Sequence, residues 1–345
     1  MNHIFSFLKI GKNIGIDLGT ANTLVYMDGA GIVVREPSVV AIDKNDGRVL
    51  AVGNQANEML GRTPDNIIAI RPMQNGVIAD FEVTQEMIKI LLKKAYGKHS
   101  SLIKPKVIVC VPSGITNVEK RAVEDAVYAA GVKDVIILEE TMAAAIGAGL
   151  DVERPNGHMI VDIGGGTTEV AVVSLSGIVA SRSVRLAGNA IDSAIASYIK
   201  RTYNLTVGER TAEEIKIAVG SALPYGDEAD YEIKGRDMAT GLPKNVTITS
   251  KEVREAMTEP LKEIVAAITE TLEETPPELA GDIIENGIVL TGGGALIRNM
   301  DKLINLICGL PVKSAENPMD CVALGTVAAG KDEKVVRRSG FLKIK

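Results

Sequence analysis

The sequence predicts an α/β protein built as two similar lobes, and three observations carry that reading. Apolar strand patterns alternate with amphipathic helical ones along the chain. A strand that ends in Asp and runs into a glycine turn occurs twice, at Asp17-Leu18-Gly19-Thr20 and at Asp162-Ile163-Gly164-Gly165-Gly166-Thr167. With 345 residues, the chain is also longer than one ordinary core requires.

The elements follow in order. Ile14–Asp17 is a short apolar strand, Leu18–Asn22 a turn, and Thr23–Tyr26 a returning strand before an Asp28-Gly29 hairpin turn. Val107–Val111 reads as a buried strand. Thr116 and Glu119 form a capping box, which opens a helix that ends at Gly131. Val135–Leu138 is a further strand, and Met142–Leu150 an Ala-rich helix. The opening device then returns as a strand over Met159–Asp162, a turn over Ile163–Thr168 and a strand over Val170–Leu175. This spacing is too long for a solenoid repeat and indicates two lobes of similar design. Thr211 and Glu214 read as a second capping box. Tyr231–Ile233 and Val246–Thr249 read as a hairpin turning at Gly241-Leu242-Pro243. A long helix is expected after Ser250, broken or kinked by Pro260 and ended by Pro276-Pro277. The strand Ile288–Leu290 runs into Thr291-Gly292-Gly293-Gly294-Ala295, with a helix expected to follow.

Composition narrows the function. Hydrophobic residues make up 46% and charged residues 24%, a globular balance. Aromatics are 3% with no Trp, so Val, Ile, Leu, Ala and Met must build the core. A net charge of −6 argues against a generic nucleic-acid binder. Cys110, Cys308 and Cys321 lack metal-ligand spacing and read as reduced thiols of a cytosolic protein. No apolar run reaches the roughly 18 residues of a membrane span. The N-terminal set Ile4, Phe5, Phe7, Leu8 and Ile10 lacks the cleavage site of a signal peptide.

The paired turns carry the chemistry. A strand ending in Asp sets a carboxylate at the lip of a sheet, and the glycines after it let backbone N–H groups form a concave anion site. Two such turns facing each other can grip one polyphosphate. Asp17 and Asp162 then need a cation to offset the repulsion, and Mg²⁺ suits, because it keeps several waters and takes few carboxylates. The bland alternative is two unrelated hairpins with capping Asp residues. Gly292–Ala295 can hold a phosphate or give a flat platform for a base, or can simply be a tight helix–strand junction. Glu139 and Glu140 follow a strand at the sheet edge where α/β ligands bind, although a helix N-terminus accounts for the charge equally well. Glu213 and Lys216 share a helix face, for which a solvated ion pair is the simpler account. His3, His99 and His158 share no cluster. The sequence contains no G-x-x-x-x-G-K-[ST] and no N-terminal G-x-G-x-x-G, so P-loop and Rossmann readings fall away.

At these residues the chain resembles the superfamily of sugar kinases, heat-shock chaperone ATPases and actin. More narrowly, several runs resemble MreB-like bacterial actins: IGIDLGTANTLVY (Ile14–Tyr26), REPSVVA (Arg35–Ala41), IRPMQNGVIADFEVT (Ile70–Thr84), VIVCVPSGIT (Val107–Thr116), MIVDIGGGTTEVAVVSLSGIV (Met159–Val179), TPPELA (Thr275–Ala280) and IVLTGGGALIRNMD (Ile288–Asp301). The resemblance implies a two-lobed actin-like ATPase fold, each lobe with a ribonuclease-H-like core and a smaller inserted subdomain. The expected divisions are 1–40, 74–154 and 323–345 for the first core and 41–73 for its insertion. For the second lobe they are 155–190 and 256–322, with 191–255 inserted.

It also implies roles. Asp17 and Asp162 would hold Mg²⁺ through water. Gly19, Thr20, Ala21 and Asn22 would cradle phosphates from one side and Gly164, Gly165 and Gly166 from the other. Glu140 would orient or activate the attacking water, assisted by the Thr167 hydroxyl. Glu213 and Lys216 would contact ribose and base, Gly188 would line the nucleotide's edge, and Gly292, Gly293, Gly294 and Ala295 would close the adenosine pocket. Two positions depart from the family pattern. Thr141 stands where Pro usually follows the catalytic Glu, which bears on the placement of Glu140, and Asn189 replaces a frequent Asp.

The implied function is an ATP-gated, slowly hydrolysing filament subunit that binds ATP, and ADP after hydrolysis. It would assemble with itself, in paired protofilaments, and lie at the inner face of the cytoplasmic membrane with the cell-wall elongation machinery. Ile4, Phe5 and Leu8 can share a helix face above Lys9 and Lys12, and Leu102 and Ile103 lie in a loop where relatives touch lipid. Two rivals share the fold. A sugar or acid kinase needs an acceptor pocket with its own base, and no further Asp motif offers one. A chaperone ATPase needs a peptide-binding domain after the adenosine turn, and the chain ends at Lys345.

Overall fold

The computed structural model describes residues 13–97, 105–226 and 228–331. They divide into two compact units. The first lies within Met1–Asn156 and takes in Val173–Val179 and the described part of Met319–Lys345. The second comprises Gly157–Val172 and Ala180–Pro318.

The core of the first unit is a five-stranded sheet. In spatial order it runs Asp134–Glu139, Lys106–Val111, Ile14–Leu18, Asn22–Met27, Gly31–Pro37. The first three strands are parallel, with Val135 beside Val107 and Val107 beside Ile14. The last two fold back antiparallel, placing Asp17 opposite Leu24 and Leu24 opposite Arg35. Parallel strands are buried on both faces, which explains the near-continuous apolar run Val107–Val111. Helix Phe81–Tyr96 covers one face with Met87, Ile88, Leu91 and Leu92. Helix Asn117–Ala129 starts at the expected capping box, with both reciprocal bonds of Thr116 and Glu119 present, a cap that contributes about 1 kcal/mol.

The chain returns to this unit with helix Cys321–Lys331, which crosses helix Glu140–Gly147 backbone to backbone. A Cβ on Gly325 would lie 1.8 Å from the Ala143 carbonyl oxygen, and one on Gly147 1.8 Å from that of Cys321. The Ala-rich composition of the earlier helix is therefore a requirement of close approach. A smaller sheet of Val49–Val52, Val40–Asp43 and Ile67–Ile70, with helix Asn54–Met59, encloses its own small core of Val39, Ala41 and Ala56.

The second unit repeats the core. Its sheet runs Val312–Ser314, Ile288–Thr291, His158–Ile163, Thr168–Ser174, Gly177–Val184, the last two strands meeting in the Val173–Val179 segment that counts with the first unit. Again the Asp-bearing strand is central and parallel to the two strands that come later in the chain, with Asp162 beside Thr291 and Leu290 beside Ser314. The order matches the first unit strand for strand, so the repeated Asp-Gly turn belongs to a repeated sheet. Helices Gly188–Tyr203 and Ser250–Glu273 bury Ile191, Ile195, Ile199, Ile264 and Ile268 in its core. A three-stranded sheet of Leu205–Thr206, Asp230–Asp237 and Pro243–Thr249 forms the smaller part.

Four expectations need correction. Helix Ser250–Glu273 runs unbroken through Pro260, whose ring is buried; packing holds the helix where one hydrogen bond is lost. Thr211 and Glu214 form no cap. Helix Glu209–Val219 begins a turn earlier, after Gly208, and Glu214 pairs with Arg210 at 3.0 Å. The Ala-rich helix starts at Glu140 and ends at Gly147, so Glu140 is its first residue. The glycine triplet leads into a short 3-10 turn, Gly293–Leu296, before helix Met300–Cys308.

Candidate functional site

In each unit the parallel strands end at one edge of the sheet, where open α/β sheets bind ligands. In the first unit that edge carries Leu18-Gly19, Pro112-Ser113 and Glu139-Glu140, because Glu139 is level with Val111 and Ile16 with Val109. The turn after Asp17 is tied down by Ser38. Its hydroxyl donates to the Gly19 carbonyl at 2.6 Å and lies 2.8 Å from the Thr23 hydroxyl, and its N–H donates to Ala21 O at 2.9 Å. The Thr20 hydroxyl accepts from Gly76 N–H at 2.9 Å, which leaves its own proton to donate. Gly19, Thr20, Ala21 and Asn22 thus form a turn braced from two segments that sequence patterning did not connect to it.

Glu140 is buried at 7% exposure as the first residue of its helix. A Pro at position 141 would push the residue before it out of helical geometry. Thr141 permits Glu140 to begin the helix. Beside it, burial raises the Glu139 carboxyl above its ordinary range, opposed by a hydrogen bond from Ser113 and the charge of Lys120.

The second unit brings together most of the remaining predicted residues. Asp162 is buried, and desolvation pushes its carboxyl up to about 6 although Thr291 donates to it at 2.7 Å. The turn Gly164–Thr167 closes through Gly164 N–H to Thr167 O at 3.0 Å. It meets the start of helix Gly188–Tyr203, where Gly188 N–H donates to Gly164 O at 3.2 Å and Asn189 N–H to Gly165 O at 2.8 Å. No side chain caps that helix; the Gly164 and Gly165 carbonyls take its first N–H groups, which sets its positive end beside the glycine turn. Lys216 reaches the same place, 2.9 Å from Asp192 Oδ1 and donating to Gly188 O at 3.3 Å. Glu213, half-buried, lies one turn earlier on the same helix.

The Gly292–Gly294 turn packs directly on Ile163, where the Gly164–Thr167 turn begins. Gly292 has φ +77, and a Cβ there would lie 2.3 Å from the Ile163 carbonyl oxygen. A Cβ on Gly294 would lie 2.2 Å from Ile163 Cγ2. Gly292 N–H donates to Pro318 O at 2.8 Å. Asp162, Gly164, Gly165, Gly166, Thr167, Gly188, Lys216, Gly292, Gly293, Gly294 and Ala295 therefore line one end of one sheet.

Sequence reasoning missed Ser38, Ser113, Asp192 and the role of Thr291. Asp192 lies one helical turn after Gly188, the single spacing that could have flagged it. Among the described residues no three acidic, His or Cys groups converge on a metal, and no helix is long and apolar enough to cross a membrane. None of the three cysteines is in a disulfide, and Cys110 and Cys321 are buried. Ile4, Phe5, Leu8, Leu102 and Ile103 lie outside the described residues.

Comparison with known proteins covers the same ground. Residues 11–338 match the family described as MreB/Mbl protein. The cell shape-determining protein Mbl of Bacillus subtilis (strain 168) is 52% identical over 315 residues, 91% of this chain and 94% of that one. The cell shape-determining protein MreB of Escherichia coli (strain K12) is 52% identical over 318 residues, 91% and 92% of the two chains. Among solved structures, MreB5 of Spiroplasma citri bound to ADP superposes with a TM-score of 0.90 at 41% identity, covering 96% of this chain and 99% of that one. The same protein bound to AMPPNP gives 0.88 at 42% identity, covering 94% and 97%. A chain of the MamK double helical filament, 20% identical with a TM-score of 0.78 over 93% and 98%, shares the fold.

Proposed function

The chain belongs to the MreB/Mbl family and has its actin-like α/β fold, and we propose that it is an ATP-dependent, self-assembling cell-shape protein with slow Mg²⁺-dependent ATPase activity. One observation carries the nucleotide reading. In the second unit a buried carboxylate, a glycine turn, the helix start docked on that turn and a flat glycine platform lie at a single sheet edge. The relatives' names support the rest: solved MreB5 binds AMPPNP and ADP, and Mbl and MreB determine cell shape.

In this proposal Gly165 and Gly166 present backbone N–H groups to the phosphates, Gly164, whose own N–H closes the turn on Thr167 O, lets the backbone approach them, and the positive end of helix Gly188–Tyr203 favours their charge. Gly292–Ala295 takes adenine, with Glu213 and Lys216 on ribose and base. Lys216 is held there by its ion pair with Asp192 and its hydrogen bond to Gly188 O. Gly19, Thr20, Ala21 and Asn22 also cradle phosphates in this proposal.

The donor set fits Mg²⁺. Asp162 is an anion buried with one hydrogen-bond donor, and so few carboxylates suit an ion that keeps water and phosphate ligands. Bound there through water to Asp17 and Asp162, Mg²⁺ would neutralise charge on the phosphates. Glu140, buried as the first residue of its helix, orients the hydrolytic water. Thr167 assists with its hydroxyl.

Hydrolysis limits filament lifetime, and ATP favours the polymerising form. Filaments attach to the inner membrane face through Ile4, Phe5 and Leu8 and through Leu102 and Ile103, and there organise wall elongation in rods. Each buried apolar side chain adds about 2 kcal/mol gross, and a polymer repeats the anchor. Deleting residues 2–10 and changing Leu102 and Ile103 to Ser therefore abolishes co-sedimentation with anionic liposomes while filaments still form; a variant that still coats liposomes contradicts the anchor. The nucleotide reading is tested by Glu140→Ala, which keeps ATP affinity and loses most phosphate release. Release at the wild-type rate removes Glu140 from the mechanism.

A further inference from the structure

We propose that Thr141 and Ser113 are positioning residues for Glu140, acting with Glu139 as a hydrogen-bonded clamp on the first turn of helix Glu140–Gly147. The inference rests on the assignment of Glu140 as the residue that orients the hydrolytic water. The Ser113 hydroxyl lies 3.3 Å from the Thr141 hydroxyl and donates to Glu139 Oε2 at 3.4 Å. A serine hydroxyl has one proton, so the order is fixed: Thr141 donates to Ser113, and Ser113 donates to Glu139. Thr141 is fully buried and Ser113 is 6% exposed.

The geometry gives the chain of bonds a purpose. Glu139 occupies the N-cap position, yet its side chain makes no cap bond to the helix. Its carboxylate turns instead to Ser113, which follows the neighbouring parallel strand Lys106–Val111. Glu140 is thus flanked by two residues, Glu139 and Thr141, that are anchored to the same serine on the next strand. The peptide groups on both sides of Glu140 are held, and its side chain leaves from a fixed origin. Pro, which stands after the corresponding Glu in the family pattern, would stiffen this position through the ring and restrict Glu140 as well. With Thr141 the ring constraint is absent and the hydroxyl relay takes its place.

A water-orienting carboxylate is sensitive to small displacements, since misplacement by about 1 Å costs on the order of 100-fold in rate. The clamp should therefore govern turnover and leave nucleotide affinity alone. Single-turnover phosphate release and the Kd for Mg·ATP are measured for wild type, Thr141→Val, Thr141→Ser, Ser113→Ala and the Thr141→Val/Ser113→Ala double variant, with Glu140→Ala alongside. Thr141→Val keeps the side-chain shape and should slow release by roughly 5- to 20-fold with Kd unchanged. Thr141→Ser, which keeps the hydroxyl, should return to within about twofold of wild type. Ser113→Ala should match Thr141→Val, and the double variant should be no slower than either single, because one relay is broken in all three.

Wild-type release in Thr141→Val and Ser113→Ala, while Glu140→Ala is inactive, overturns the clamp and leaves the role of Glu140 intact. Loss of Kd in step with rate, or failure of Thr141→Ser to recover, also overturns it, since either marks a structural defect. Wild-type release in Glu140→Ala overturns the reading on which the inference stands.

Discussion

Asp162→Asn should stabilise the nucleotide-free protein while impairing its function. Asp162 is buried, and the cost of ionising it there pushes its carboxyl from 3.8 up to about 6. At about 1.4 kcal/mol for each pH unit between those values, the ionised carboxylate costs the folded chain about 3 kcal/mol at pH 7.5. Asn carries no charge and still accepts the Thr291 hydroxyl that now donates at 2.7 Å to Asp162 Oδ1.

The sign follows from proton binding. Between about pH 4 and pH 6 the folded state holds the proton that the unfolded state has released, so wild-type stability falls as pH rises through that window. The Asn variant lacks this dependence. The gap between variant and wild type should thus be about 3 kcal/mol at pH 7.5 and about half of that at pH 5. Urea unfolding in EDTA at the two pH values measures it. Adding Mg·ADP should close the gap, because the cation offsets the charge only in the wild type and ligand binding stabilises it further. A variant that is less stable than wild type at pH 7.5, or that differs from it equally at both pH values, refutes the reasoning: Asp162 would then be structural.

Three further outcomes are expected. Asp17→Asn should weaken nucleotide binding, measured by fluorescent-nucleotide titration, much more in Mg²⁺ than in EDTA; equal loss in both would assign that carboxylate to turn capping. Thr167→Ala should slow phosphate release less than Glu140→Ala does, and a larger effect would exchange their roles. Gly292→Ala should destabilise the second unit by about 1–3 kcal/mol in chemical unfolding and lower nucleotide affinity, since φ is +77 and the new Cβ would press on the Ile163 carbonyl.

Much of the fold was legible because local chemistry and tertiary structure agree there. Thr116 and Glu119 announce a helix start that packing has no reason to move. The Asp-Gly turns of Asp17 and Asp162 were visible as a repeat because a tight turn at a sheet edge demands particular residues at adjacent positions. The repeat of the whole sheet was legible only through those turns, since its matching strands share only burial and order. Pro260 misled because a buried helix can absorb one missing hydrogen bond, and no local pattern records that burial. Thr211 and Glu214 had the right spacing for a cap one turn too late, where Gly208 had already started the helix. At the site, glycines and carboxylates stood out by type. Their supports did not: Ser38, Ser113, Asp192 and Thr291 are ordinary residues brought in from other segments.

This chain is expected to assemble with itself when it holds Mg·ATP, and sedimentation of the purified protein, with electron microscopy of the pellet, measures that assembly. Filaments should pellet with Mg·ATP and stay in the supernatant with EDTA or without nucleotide. Assembly that is indifferent to nucleotide and metal, or a chain that stays in the supernatant with Mg·ATP bound, would contradict it.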